Sequence, residues 1–333
     1  MLRLLFSLLL ISTLVSHAFL VQAQVLRPRM MFGDSTHRKP GFSKDPHVVW
    51  FGKRYLLYYS VPTGKDAAGA DRWGIGIAES RDLTNWRKIA EILPAADYEQ
   101  KGLCAPGALV RNGKVHLFYQ TYGNGPKDAI CHASSTDGIH FDRNPTNPIF
   151  RPEISQWSCG RAIDADVVEF NNQYFLYFAT RDPSYKIQQI GVAVAPATSN
   201  FDRQDWKLLS TNGPILKPEL SWEGECIEAP SVVQRGNELV MFYAGAYNNW
   251  PQQVGVARSV DGLHWERVQN EPFLKNGSPG SWNASESGHP HLFRAPTGKT
   301  YLFFQGNNDK GKSWFLSNVE VSWRKATPQL INE

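Results

Sequence analysis

The chain has 333 residues, with 35 Lys and Arg against 31 Asp and Glu, so its formal net charge is only +4. A hydrophobic fraction of 42% with 20% charged residues excludes a disordered chain, and the balanced charge excludes a protein that works chiefly on nucleic acid. Four Cys are too few for a disulfide scaffold, while 11 Trp, 12 Tyr, 18 Phe, 27 Gly and 21 Pro favour an all-β chain rich in turns.

The first segment, residues 1–23, reads as a secretory signal peptide. Arg3 supplies the positive start, Leu4 to Val15 is an apolar run, and Val21-Gln22-Ala23 presents small residues for cleavage before Gln24. The run is shorter than the roughly 20 apolar residues of a spanning helix, and no other segment approaches it. No membrane span is expected, no Cys follows the cleavage site to carry a lipid, and the protein is placed outside the cytoplasm, secreted or periplasmic.

From there an internal repeat organises the chain. An apolar strand, a tight turn and a Tyr/Phe-rich strand recur from Asp45 to Tyr59, Ala105 to Tyr119, Asp164 to Tyr177, Ala229 to Tyr243 and His289 to Phe304, one copy about every 60 residues. The turns carry Gly52-Lys53, Asn112-Gly113, Asn171-Asn172, Gly236-Asn237 and Gly298-Lys299, pairs that tolerate positive φ and close a hairpin. A third strand follows, as in Gly74 to Ala78, Gly191 to Ala195 and Val254 to Ala257. A fourth is expected to end near an aromatic, at Trp86, Phe141, Trp206 and Trp265. Four antiparallel strands per copy predict a five-bladed β-propeller that occupies residues 24–333 as a single domain. A six-bladed sialidase fits less well, because its Asp-x-Gly-x-Thr-Trp form and a sixth copy are both missing.

In a propeller the first strand of each blade lines the axis, so the repeat starts meet at one mouth. Those starts are Asp45, Ala105, Asp164, Ala229 and His289, with Glu228 just before Ala229. A single Asp at such a place is most simply a turn residue. Three acids on one ring argue for function, since gathering like charges is costly. Hydrolysis of a glycosidic bond uses such a set: one ionised carboxylate, one protonated carboxyl, and a third acid that tunes the second.

Lys44-Asp45-Pro46, Ala162-Ile163-Asp164 and Ile227-Glu228-Ala229-Pro230 resemble the three acid motifs of glycoside hydrolase family 43, five-bladed inverting enzymes active on arabinofuran and xylan. The resemblance runs from about residue 40 to 323, and includes Ala78 to Trp86 and Gly288-His289. It implies that Asp45 is the general base, Glu228 the general acid and Asp164 the residue that orients the acid and raises its pKa. It also implies that His289 faces a calcium or other ion in the central channel, with no cofactor required for the chemistry. Two departures bear on substrate. Blade 2 has Ala105-Pro106-Gly107 where arabinan-active members carry an Asp, and Asp166 competes with Asp164, although Asp164 stands at the mouth and Asp166 deeper.

Other residues are candidates for holding sugar: His47 on the same strand face as Asp45, together with Asp166, His289 and Arg294, and the aromatic platforms Trp73 and Trp222, with Trp157 and Trp250 beside them. Arg181-Asp182-Pro183 copies the acid motif of family 32 but follows a second strand, so it reads as a turn. Glu225-Cys226 resembles that family's acid motif and keeps a family 32-like fructosidase as an alternative. A glycoside phosphorylase, marked by Arg and Lys at the mouth, and a non-catalytic sugar-binding propeller are further alternatives. Cys104, Cys131, Cys159 and Cys226 allow a Cys104–Cys159 bridge or buried free thiols equally, and no spacing resembles a zinc site. Asn283-Ala284-Ser285 is a glycosylation sequon. The expected partner is an oligo- or polysaccharide of plant or algal origin, and the expected state is a monomer.

Overall fold

The computed structural model describes residues 30–66 and 69–331; the expected signal peptide lies outside them. The described chain is all-β, five sheets of four antiparallel strands. The inner strands are Lys44–Phe51, Leu103–Arg111, Ile163–Phe170, Ile227–Arg235 and Glu286–Arg294. The second strands are Arg54–Lys65, Lys114–Thr121, Gln173–Arg181, Glu238–Gly245 and Thr300–Asn307. In every sheet the strands follow chain order outwards from the axis, which is the predicted five-bladed propeller. Among the described residues no helix is long and apolar enough to cross a membrane.

The hairpin turns fall where the sequence places them, with positive φ at Gly52 and Lys53, Asn112 and Gly113, and Asn171 and Asn172. The outer strands do not end at the aromatics; they begin after them. Asp82, Asp137 and Asp261 cap tight turns between third and fourth strands: Asp137 Oδ1, for example, accepts from the amides of Ile139 and His140, both at 2.8 Å. Trp86 then precedes the outer strand Arg87–Ile92.

Each blade-to-blade seam holds its own hydrophobic core, five in all, built largely from the Tyr/Phe-rich second strands. Tyr59, Tyr119 and Tyr243 carry hydroxyls into these seams. A buried acid receives each one and is neutralised by a cation: Asp34 with Lys88, Glu99 with Arg143, Glu223 with Arg267. Burying a hydroxyl is tolerable only with such a partner. All four cysteines are buried free thiols.

Every inner strand is kinked at its cleft end. Asp45, Ala105, Asp164, Ala229 and His289 all have left-handed backbones, with φ of 53, 48, 53, 50 and 43°. At each the ladder to the second strand slips over the kinked residue and the next one. That next residue is Pro46, Pro106, Pro230 or Pro290 in four blades. The bulge explains why Pro is allowed there, since no ladder hydrogen bond is lost.

Candidate active site

The kinks bring the repeat starts to the floor of a cleft of about 340 Å³ at one end of the axis. Asp45, Asp164, Glu228 and His289 line it together. In blade 4 the kink itself is Ala229, and Glu228, one place earlier, supplies the carboxylate. The backbone N–H of Asp45 donates to Gln305 Oε1 at 2.9 Å, that of Ala105 to Ser60 Oγ at 2.7 Å and that of Asp164 to Gln120 Oε1 at 2.8 Å. Each acceptor comes from the second strand of the preceding blade. Left-handed backbone at a non-glycine residue is strained, and these bonds hold it in place.

His289 stands between two of the acids. Its Nδ1 lies 3.0 Å from Asp45 Oδ1 and its Nε2 lies 3.1 Å from Glu228 Oε1. Burial alone lowers an imidazole pKa, but Asp45 and Glu228 outweigh it and hold His289 well above its usual value, as imidazolium. Burial likewise opposes ionisation of Asp45, yet His289 and Lys44 hold its carboxyl well below the usual range. Glu228 follows the same pattern: burial raises it, and His289 with Gln252 brings it below its ordinary value. Gln252 Nε2 donates to Glu228 Oε1 at 2.7 Å, Asn248 Nδ2 does so at 3.3 Å, and Gln188 Nε2 donates to Oε2.

Asp164 behaves oppositely. Burial raises its pKa to about 7; His289 pulls it down, Glu228 and Asp45 push it up, and burial prevails. Its Oδ2 is buried without a hydrogen-bond partner. Asp164, Glu228 and His289 each present an atom within 4.8 Å of the others. Asp164 and Glu228 therefore compete for a proton near neutral pH, and with Glu228 held as carboxylate it rests on Asp164.

The same cluster tests the expected calcium. Calcium takes six to eight oxygen ligands. Here two carboxylates and one imidazolium converge, and both ring nitrogens of His289 are turned to carboxylates. These residues do not fit direct ligation of calcium at His289.

Other sequence candidates are distributed differently. Trp73 lines the cleft, packed edge-on to Phe42 at 5.7 Å and tilted against Tyr122 at 5.6 Å. His47 and Asp166 lie one layer below the floor, lining a central channel space of about 30 Å³. There His47 Nε2 meets Ala108 O at 2.9 Å, Asp166 Oδ2 accepts from Val232 N at 2.7 Å, and His291 Nε2 meets Val48 O at 3.1 Å. These side chains tie one inner strand to the next, so they are stitches of the ring below the cleft. Burial takes Asp166 to about 7 as well. Trp222 is not in the cleft: it stacks on Tyr243 at 6.1 Å and donates to Asn270 O at 2.8 Å. Trp157 belongs to a core, and Trp250 is 78% exposed outside the cleft lining. Arg294 is exposed at the hairpin end of its strand, five positions along the chain from His289 and away from the cleft end.

Lys44, Arg161, Arg181, Gln188, Tyr247 and Asn248 also line the cleft, and the sequence motifs give none of them a site role. Arg181-Asp182-Pro183 divides in two: Asp182 caps a turn, accepting from Lys186 N and Ile187 N at 2.7 Å, while Arg181 faces the cleft. A signal existed, since each second strand runs towards the cleft and its last residues reach the rim. Glu225 pairs with Lys186 at 2.8 Å and is 48% exposed, so its carboxylate is outside the site. Glu286 is a buried strut: it accepts from Gln305, which holds the Asp45 kink, and from Asn249 N in the loop that carries Asn248, both at 2.7 Å.

A ring of acids at the mouth of a five-bladed propeller defines the architecture of a glycosidase of this fold. The model of glycosyl hydrolases family 43 matches residues 39–324, and the chain belongs to that family. It is 27% identical over 264 residues to the sucrose-6-phosphate hydrolase of Zymomonas mobilis, covering 74% of this chain and 46% of that protein. The chain thus spans about half the length of this curated relative. Among solved structures it resembles a thermostable family-43 glycoside hydrolase, with TM-score 0.68 and 20% identity over 90% of this chain and 96% of that one. An endo-1,4-beta-xylanase from Bacteroides thetaiotaomicron gives TM-score 0.68 and 20% identity, covering 92% and 97%. At such identities these two structures speak for the fold alone.

Proposed function

We propose that the protein is an exported, monomeric glycoside hydrolase that cleaves arabinofuranosides, xylosides or related plant or algal saccharides with inversion. Asp45 takes a proton from water as the water oxygen bonds to the anomeric carbon. The glycosidic bond breaks on the other side, and its oxygen takes a proton from Glu228. Asp164 stores that proton in the ligand-free protein and passes it through Glu228. His289 is a positioning residue that keeps Asp45 ionised and fixes its distance from Glu228.

The observation that carries this reading is the His289 bridge. Asp45 and Glu228 meet opposite nitrogens of one imidazole at 3.0 and 3.1 Å. One ring width plus two such contacts holds the carboxylates further apart than the roughly 5–5.5 Å of a retaining pair, in keeping with the roughly 6.5–9.5 Å of an inverting one. Export rests on the pattern of residues 1–23.

The test is Asp45→Asn, Asp164→Asn and Glu228→Gln assayed on aryl arabinofuranosides, xylosides and galactosides. Loss of about a hundredfold or more in kcat is expected for Asp45 and Glu228; wild-type rates in all three variants on a cleaved substrate contradict the assignment. The Zymomonas relative supports a second reading, hydrolysis of a fructoside. Sucrose in the same panel separates the two.

A further inference from the structure

Two cations on the blade 3 wall have no part in the chemistry above. Arg181 ends a second strand and Arg161 lies two residues before an inner strand of the same blade. Their guanidinium groups converge on one neutral atom, Gln188 Oε1, at 3.1 Å from Arg181 Nε and 3.4 Å from Arg161 Nη1. The amide nitrogen of the same Gln188 donates to Glu228 Oε2. The two arginines are thus one side chain away from the proposed acid. Arg161 has a carboxylate, Asp128, at 3.4 Å. Arg181 has no ion-pair partner among the described residues. Its remaining hydrogen bond goes to Tyr185 O at 3.4 Å, and its guanidinium carbon lies 4.5 Å from the Tyr185 ring centroid and 5.1 Å from that of Tyr247.

Two guanidinium groups drawn to one amide oxygen repel each other, and an anion between them removes that cost. The aromatic faces fix the Arg181 plane and leave an N–H edge free. A planar fork of this kind matches the paired oxygens of a carboxylate or phosphate. Neutral hydroxyls can be held by amides and hydroxyls and give no reason to bring two cations together.

We propose that this wall is an oxyanion subsite, and that the saccharide bound here carries a carboxylate or phosphate group that docks on Arg181 and Arg161. The proposal rests on the cleft being the sugar site. Inorganic phosphate has the same chemistry and is the other source of such an anion.

Calorimetry on the full chain at low salt, with D-glucuronate, D-glucose 6-phosphate, inorganic phosphate and neutral D-glucose, tests it without requiring turnover. Its outcome is therefore separate from whether aryl glycosides are cleaved. At least one anion is expected to bind the wild-type protein more tightly than glucose does. Arg181→Gln weakens that binding about tenfold or more, Arg181→Lys recovers part of it, and glucose binding is unchanged. Preference for a sugar-borne anion assigns the subsite to a charged substrate. Binding of inorganic phosphate alone assigns the subsite to a free phosphate and overturns the charged saccharide. If no anion binds the wild-type protein better than glucose, or if Arg181→Gln weakens glucose and anion equally, the subsite does not exist.

Discussion

At the scale of residues, the site is governed by one histidine shared between two acids. His289 as imidazolium stabilises the ionised forms of Asp45 and Glu228, which leaves Asp164 as the carboxyl that gives up its proton only near pH 7. The sign for activity follows. The raised group holds its proton below about pH 7 and loses it above, so kcat/KM is expected to fall as pH rises through that value. Asp45, the base, has its carboxyl held low, so the acid limb set by its protonation is expected well below neutral pH. A pH–rate profile checks this: Asp164→Asn is expected to move the alkaline limb to lower pH, and an unmoved limb contradicts the shared proton. Asp45, Asp164 and Glu228 were legible as a converging set because two stand at equivalent repeat positions and the third one place before its own. Arg161 and Gln188 were not, because they stand at one blade only and no periodicity marks them; Arg181 was marked only by its place at the end of a second strand.

At the scale of elements, the kinked inner strand is the unit that makes the site. The kink sets the first residue at the cleft floor, and the residue two further on reaches the next inner strand: His47 to Ala108 O, Asp166 to Val232 N, Ser231 to Leu292 N, His291 to Val48 O. Blade 2 alone has glycine at that place. A Cβ on Gly107 would lie 2.2 Å from Ala165 O, so the blade 3 backbone occupies the space. This gives a physical reason for the departure at Ala105-Pro106-Gly107, and it concerns packing. Gly107→Ala is expected to destabilise the protein by about 1–3 kcal/mol, read as a lower denaturant midpoint; an unchanged midpoint contradicts the close approach. Hairpin turns were legible because Asn-Gly and Asn-Asn pairs have few other uses. His47 and Asp166 share the strand face of the acids, as alternation requires, and the depth at which they lie, each bonded to the next inner strand, is set by the kink and the bulge rather than by alternation. The outer strands were misplaced because an Asp followed by an aromatic marks the capped turn before a strand and looks like a strand end.

At the scale of the whole molecule, the ring closes by a segment that no repeat announces. In blades 2, 3 and 4 the chain leaving the blade returns to bridge its third strand, through Phe150 with Ile130, Leu216 with Ile190 and Leu274 with Val254. In blade 5 the partner comes from the other end of the described chain: Phe32 bridges Leu316 and Phe42 bridges Trp314. Ser43 N donates to Trp314 O at 3.0 Å, and Asp34 on the same segment receives the Tyr59 hydroxyl at 2.8 Å. A chain that begins at Lys44 loses all of these bonds. It is expected to melt at lower temperature, with amides of Phe315–Arg324 the first to lose exchange protection; equal protection in both chains contradicts the closure. Five blades were legible from five repeats, whereas the closing segment lacks the repeat and could be read only from contacts. The closed ring fixes Asp45 and Glu228 on either side of His289, and that geometry is the basis of the proposed reaction. The stereochemical course tests it most directly: proton NMR of the first-formed sugar from a cleaved aryl glycoside. The expected product has the opposite anomeric configuration to the substrate; a first product of the same configuration contradicts a water held between Asp45 and Glu228.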